Sequence, residues 1–486
     1  MKNLKTILLL ILVTSVFNRC TDHVDYEAIE GYQITSEIYF QQEADYDAAL
    51  VGTYDVLQWL FFNIQLGAIA SEITLCGGES ATDYIGIQQI DDMTHYPENN
   101  VLRQIWQFLY EGVNRANYME ENKANIDFEG KEAMYGEVYF LRAYYYFELV
   151  KFFGDVPLFT EARLTAGQAG TLTRTPKDEV YAQIELDLQN AIASLPNSQS
   201  QVGRVNKYTA YALLGKVLLY QDKFAEAASA LDNVIGVYSL VSDYGSQFLR
   251  FGENGPESVF EIQYSNQSNW YDWGCAHCSE GNYAIIMNGP RGWSGPEYAQ
   301  GWSFNVPTEE FYNSFEEGDS RRDATVLDIE AFAAATGASY TEGYDHTGYF
   351  NNKYIPRAGE SGGQTELNYL TNFRIIRYSD VLLMAAEAYN RGGIDDGLAQ
   401  EFLNQVRRRA FGGDDNDISA SGSALTDAIW EERKFELSLE GHRFFDLVRT
   451  GRASSLIAGF VEGKHEVFPI PQQEVDISGL TQNAGY

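Results

Sequence analysis

Cysteine, proline and positive charge are all in short supply in this 486-residue chain, which carries 4 cysteines, 11 prolines, and 34 lysines and arginines against 69 aspartates and glutamates. A formal charge of −35 repels a phosphate backbone, so nucleic acid is excluded as the expected ligand. With few prolines, no serine–glycine run of any length and no block of like charge, nothing reads as an interdomain linker, although this length often divides into two or more domains. No stretch approaches the roughly 18 apolar residues of a membrane-spanning helix. Enzyme motifs are missing as well: there is no glycine-rich phosphate loop with lysine, no H-E-x-x-H pair and no G-x-S-x-G element.

The first nineteen residues stand apart from the fold. Lys2 and Lys5 precede an apolar stretch over residues 7–17, too short to span a bilayer but suited to a secretory signal. Cys20 follows directly, where bacterial lipoproteins carry their acylated cysteine, although Asn18 and Arg19 stand where small residues are usual. Residues 1–19 are therefore read as a signal peptide, Cys20 as the lipidation site, 20–40 as a polar, acidic tether and 41–486 as a single body. Outside Cys20 the cysteines are odd in number, Cys76, Cys275 and Cys278, so at least one thiol is free. Cys275-Ala-His-Cys278 suits a local disulfide or plain thiols in an exported protein. With His277 it is only a weak zinc signal, because no second ligand pair accompanies it, and no metal is expected.

Helical periodicity dominates residues 41–240 and 371–486. One helix places Tyr46, Leu50, Tyr54 and Leu57 near one face, and a second does so with Ile105, Leu109, Val113 and Ala116. A third runs to a stop at Gly154 and Pro157, and a fourth opens with Thr175 as cap and Pro176 at its first position. Residues 208–241 fit the tetratricopeptide pattern, with Gly215 and Ala227 small where two antiparallel helices cross. The segment from Arg377 to Gly413 resembles a second, weaker copy. Between these halves, at 241–370, periodicity collapses. "PESVFEIQYS" alternates like a short strand, and a glycine- and proline-bearing stretch then holds Trp270, Trp273, Trp293 and Trp302. Such a loop either folds as its own small core or presents rings to a ligand.

"ERKFELSLEGHRFFDLVRTG", from Glu432 to Gly451, poses the sharpest choice between chemistry and architecture. Catalysis by paired carboxylates needs one acid kept protonated. Here helical spacing sets Glu440 beside Arg443, Arg443 beside Asp446, and Asp446 beside Arg449, so each acid should stay ionised in a structural ion-pair knot.

The same stretch resembles the C-terminal motif of the SusD/RagB family, the surface glycan-binding lipoproteins of Bacteroidota. It matches E-R-x-x-E-L-x-x-E-G-x-R-x-x-D-L-x-R at Glu432, Arg433, Glu436, Leu437, Glu440, Gly441, Arg443, Asp446, Leu447 and Arg449. "FLRAYYYFELVKFFGDVPLF", "RYSDVLLMAAEAYN", "FNVPTEEFYNSFEEGDSRRDATV" and the terminus at Gln482, Asn483, Gly485 and Tyr486 are similar to further family segments, in order along the mature chain. The resemblance implies a mostly α, SusD-like fold: four tetratricopeptide-like helix pairs and an irregular, loop-rich ligand-binding half with a few short strands. It also implies a lipid anchor at the outer face of the outer membrane, a SusC-like TonB-dependent transporter as partner, capture of an oligosaccharide and no enzymatic activity. The motif residues would be scaffold.

Sugars present flat C–H faces edged by hydroxyls, so a site needs exposed rings beside directional polar groups. Two regions supply both. One offers Trp270, Tyr271, Asp272, Trp273, Asn282, Tyr283, Asn288, Arg291, Trp293 and Tyr298. The other is the early loop with Asp83, Tyr84, His95 and Tyr96. Trp59, Trp106 and Trp430 lie on expected helices and read as core, and Trp302 as packing. A structural calcium at Asp414, Asp415 and Asp417 is the one cofactor considered, against the missing glycine and terminal glutamate of a calcium loop. Capture of peptides by the same architecture, or a repeat scaffold holding a partner's helix or tail, are the alternative functions.

Overall fold

A computed structural model describes residues 39–267, 273–361 and 367–486. Residues 1–38, which hold the expected leader, Cys20 and most of the expected tether, lie outside them.

The first half of the scaffold is built from eight labelled helices: α1 (Glu43–Asp55), α2 (Phe61–Ile69), α3 (Ile85–Asp91), α4 (Asn100–Glu121), α5 (Lys131–Phe153), α6 (Lys177–Ser194), α7 (Lys207–Leu219) and α8 (Phe224–Leu231). α4 starts where Asn99 accepts hydrogen bonds from the Val101 and Leu102 amides, satisfying two of the otherwise unpaired first-turn donors. Its apolar stripe, Ile105, Leu109, Val113 and Ala116, is buried as the 3.6-residue period requires. α5 is buried on nearly every side, and its tyrosines fill seams. Tyr145 donates to the Thr53 carbonyl at 2.6 Å and Tyr146 to that of Phe159 at 2.7 Å, so each buried hydroxyl keeps a partner. Gly154 ends α5 with φ of 71°. α6 differs by one residue from its expected start. Pro176 is the extended cap residue, and Thr175 instead pairs its backbone with Val156.

α7 and α8 form the helix pair read from the tetratricopeptide pattern. A side chain at Gly215 would meet Leu231 at 2.5 Å, which is why the crossing requires glycine. The second copy follows the excursion as α10 (Tyr378–Arg391) and α11 (Asp396–Phe411), and α10 also packs on α8 and on α12 (Ser423–Leu437). One hydrophobic core reaches from Phe40 to Leu480 through all these helices.

The excursion is tied off at its base by an antiparallel ribbon, β2 (Ser258–Ile262) with β8 (Phe373–Arg377). Three further two-stranded antiparallel ribbons complete the sheet content of the described residues: β1 (Thr74–Gly77) with β4 (Phe304–Pro307), β3 (Arg291–Ser294) with β6 (Ser339–Thr341), and β5 (Val326–Asp328) with β7 (Tyr349–Asn351). A short helix, α9 (Ala284–Met287), lies between β2 and β3. The excursion has a core of its own, in which Trp293 packs with Tyr298, Leu327, Ile329, Phe350 and Ile355.

The family-like motif is not one helix. α12 stops at Leu437, and α13 (Arg443–Arg449) begins after a turn in which Leu439 and Gly441 take φ of 65° and 88°. Gly441 sits against α2. A side chain there would come within 3.0 Å of the Ile64 Cα, and one at Gly67 would strike the Gly441 carbonyl.

Candidate functional site

The turn between α12 and α13 rewrites the expected pairings while keeping their character. Glu440 does not meet Arg443. It accepts from Arg377 Nε at 2.8 Å and Lys353 Nζ at 2.7 Å. Arg443 donates to Glu72 at 2.9 Å rather than to Asp446. Asp446 does pair with Arg449, at 2.8 Å, and also with Arg433 at 3.0 Å. The helix stop at Leu437 leaves Glu440 outside any helix shared with Arg443, so that i,i+3 pair cannot form; Arg443 and Asp446 share α13, but Arg443 turns to Glu72 instead. Burial alone would raise these acids, but Arg377 and Lys353 hold Glu440 below the ordinary carboxylate range, and Arg433 with Arg449 do the same for Asp446. Glu436, shared by Arg409, Arg377 and Arg321, is likewise held well down. Burial and the neighbouring Lys216 push His442 down to about 3, so it stays neutral. Glu436, Glu440 and Asp446 are all held ionised, and the knot borders only a small cavity of about 30 Å³, lined in part by Glu440 and His442.

The early loop and the excursion do come together. Asp83 Oδ2 accepts from Arg291 Nη2 at 2.8 Å and from the Glu79 amide at 2.8 Å, joining the two regions singled out from sequence. Tyr84, left-handed at φ of 49°, is half-buried with its ring 5.3 Å from Phe62, and its hydroxyl is hydrogen-bonded with that of Tyr283. Burial pushes Tyr84 up to about 12, which keeps the phenol neutral.

Several expected platforms are not platforms. Trp293 is only 9% exposed, inside the excursion's core with Tyr298 and Phe332, because the ribbon β3–β6 folds that ring inward. Tyr283 is buried against Phe61, with ring centroids 4.0 Å apart. Asn282 and Asn288 are buried and donate to the Thr371 and Tyr354 carbonyls. His95 is buried with Nε2 at 2.8 Å from the Tyr486 hydroxyl, which makes it part of the C-terminal packing; Tyr96 is exposed. Trp270, Tyr271 and Asp272 lie outside the described residues, and Trp273 opens a short turn, Trp273–Cys278.

Two residues past that turn, Glu280 lines a cleft of about 540 Å³. Three segments meet there: the end of α1 with Val51, Tyr54, Asp55 and Gln58; the turn before α7 with Val202 and Arg204; and the strand-to-excursion passage with Gln263 and Glu280. Val51 and Val202 form exposed apolar lips, and Val202 is 73% exposed. Gln58 Nε2 donates to the Gln263 carbonyl at 2.9 Å, while its Oε1 is buried without a partner. Trp59 Nε1, one residue on, is also unpartnered. The Trp59 ring carries the Arg115 guanidinium at 4.7 Å and touches His277 and Phe108 edge-on at 5.0 and 5.3 Å. Arg115 is held by Asp55 and Glu111, each at 2.8 Å. Desolvation and the charge of Asp55 raise the Glu280 carboxyl. Unpaired buried polar atoms are uncommon and costly, so the Gln58 acceptor in the wall of an open cleft suits a ligand bearing hydroxyls.

Sequence reasoning missed this cleft because Gln58 and Trp59 follow directly on α1 and read as helical core, and no local signal joins residues 55, 204, 263 and 280. Of the acids considered for calcium, Asp417 is taken by Arg408 at 2.6 Å. Cys275 and Cys278 form a disulfide, and Cys76 is a buried free thiol.

Comparison with known proteins places this arrangement in context. A family model described as the SusD family matches residues 256–459, and one described as "Starch-binding associating with outer membrane" matches residues 71–219. SusD-like protein P2 of Formosa agariphila is 29% identical, over 93% of this chain and 94% of that protein. Among solved structures, a laminarin-binding SusD-like protein superposes with a TM-score of 0.84 at 36% identity, covering 92% of this chain and all of the other. Surface glycan-binding protein A of Bacteroides thetaiotaomicron, in complex with laminarihexaose, gives 0.81 at 29% identity, covering 91% and 99%.

Proposed function

This chain belongs to the SusD family, and from that premise we propose that it is a cell-surface glycan-binding lipoprotein. It captures an oligosaccharide and passes it to a SusC-like TonB-dependent transporter in the outer membrane. Acylated Cys20 anchors it, and the polar residues after Cys20 serve as the tether. It binds and does not catalyse, because the acids of the charged knot that most resembles an active site are buried and held ionised at neutral pH by arginine and lysine.

One observation carries the reading: the cleft where Gln58 offers an unpartnered acceptor, between apolar lips and carboxylates, at the foot of the tryptophan-bearing turn. Sugar hydroxyls would satisfy the amide, and Trp270 and Trp273, chosen from the sequence, are the rings proposed to stack on pyranose faces. The two solved relatives named for laminarin and laminarihexaose make a neutral β-glucan of that kind the ligand to try first.

The test is affinity electrophoresis in laminarin and a panel of other polysaccharides. Retention should be lost in Trp270→Ala/Trp273→Ala and weakened in Gln58→Ala and Glu280→Ala, with melting temperature unchanged. Wild-type retention that survives all of these would reject the cleft and loop as the site. Binding of oligopeptides with no polysaccharide retained would favour the peptide alternative.

A further inference from the structure

The turn Trp273–Cys278 carries a group that glycan capture does not use. Cys275, His277 and Cys278 bring two sulfurs and an imidazole nitrogen within 4.8 Å of one another, and among the described residues no other set of three or more metal-capable side chains converges in this way. The two sulfurs are joined as a disulfide, and Cys275 Sγ lies 3.4 Å from His277 Nε2. We propose that this turn is a redox-gated metal site: oxidised it is a staple, and reduced it binds one thiophilic divalent cation of the zinc class through Cys275, His277 and Cys278.

The geometry is already close to that of the loaded site. Zinc bonds of about 2.3 Å to sulfur and about 2.0–2.1 Å to nitrogen, set at tetrahedral angles, put sulfur and nitrogen about 3.5 Å apart. The Cys275–His277 edge has that length before any metal arrives, and reduction frees the two bonded sulfurs to separate. His277 is steadied by an edge-on contact with Trp59 at 5.0 Å and a tilted one with Phe108 at 5.4 Å. Such support from outside the ligand set fixes ring orientation and strengthens metal sites. His277 and Cys278 are exposed, so a hydrated ion has access. A disulfide that closes so few residues removes little chain entropy, so opening it costs the fold little.

The chemistry balances with a low-molecular-weight dithiol as reductant. Thiolate attack on the protein disulfide gives a mixed disulfide. The second reductant thiol then displaces the protein sulfur, leaving two protein thiols and an oxidised, cyclic reductant. The cation next displaces one proton from each thiol to form two metal–sulfur bonds. The Nε2 lone pair makes the third bond, and water takes the open fourth position.

The test uses the full mature chain, oxidised or reduced under argon, with Zn²⁺ titrated against a chromophoric chelator and Co²⁺ as spectroscopic probe. The reduced wild type should take up one equivalent and show thiolate-to-cobalt charge transfer, and the oxidised form should show neither. Cys275→Ser/Cys278→Ser should abolish both signals, and His277→Ala should weaken zinc at least tenfold, with melting temperature reporting that each variant is folded. Equal zinc uptake by reduced and oxidised protein, or a charge-transfer band that survives in the double serine variant, would overturn the proposal. Cys76 is buried and should not bind in its place. Retention in laminarin, measured on the same samples, separates failure of this site from failure of the glycan reading.

Discussion

Replacing Glu440 by glutamine is the most direct trial of the claim that the charged motif is architecture. The carboxylate is fully enclosed and receives Arg377 Nε at 2.8 Å, Arg377 Nη2 at 2.9 Å and Lys353 Nζ at 2.7 Å. Glutamine keeps the shape, removes the charge and turns an amide NH₂ toward two cations. Burial already lowers Lys353 to about 8, with Glu440 the leading opposing influence, so the variant should drive that lysine toward its neutral form. Removing one partner of a buried pair costs about 3–5 kcal/mol. An unfolding entropy of about 2.1 cal/mol/K per residue, over a body of this size, converts that into a fall in melting temperature of roughly 3–5 °C. Differential scanning calorimetry at pH 7 reads the shift, and the laminarin gel should show unaltered retention. A melting temperature equal to wild type would refute the structural role. A glycan-cleaving activity present in wild type and lost in a folded Glu440→Gln would refute the non-enzymatic reading.

Other expected outcomes follow from the same packing. Glu436, Glu440 and Asp446 are depressed in the fold, so the stability they confer is complete above the ordinary carboxylate value of about 4 and drains away as pH falls through their lower folded values. Acid titration of the melting temperature should therefore break downward below about pH 4, and less steeply in Glu440→Gln. Trp293→Ala should cost about 3–5 kcal/mol in denaturant unfolding, because the ring is core and not platform. A variant that melts normally but loses glycan retention would reverse that assignment. Gly441→Ala should destabilise by more than about 1 kcal/mol, since φ of 88° and the approach to Ile64 both reject a side chain; chemical denaturation measures it.

What the chain's order of residues determined by itself is local. The stripe through Ile105, Leu109, Val113 and Ala116, the glycine at the α7–α8 crossing and the stop at Gly154 are each set by neighbours within a few turns, so periodicity and turn chemistry reveal them. The ionised character of the motif acids was legible for the same reason: arginines crowd the whole segment. Which arginine serves which acid was not legible. Glu440 reaches Arg377 and Lys353, and Arg443 reaches Glu72, only because Leu439 and Gly441 break the helix and the turn presses onto α2. The fate of the rings was likewise a tertiary decision. Trp293 and Tyr283 have the composition of a sugar platform, yet a ribbon and a helix face close over them. Gln58 and Glu280, unremarkable in sequence, become neighbours of a cleft because three distant segments converge. A side chain's period is written in its own stretch, but its exposure depends on what else packs there.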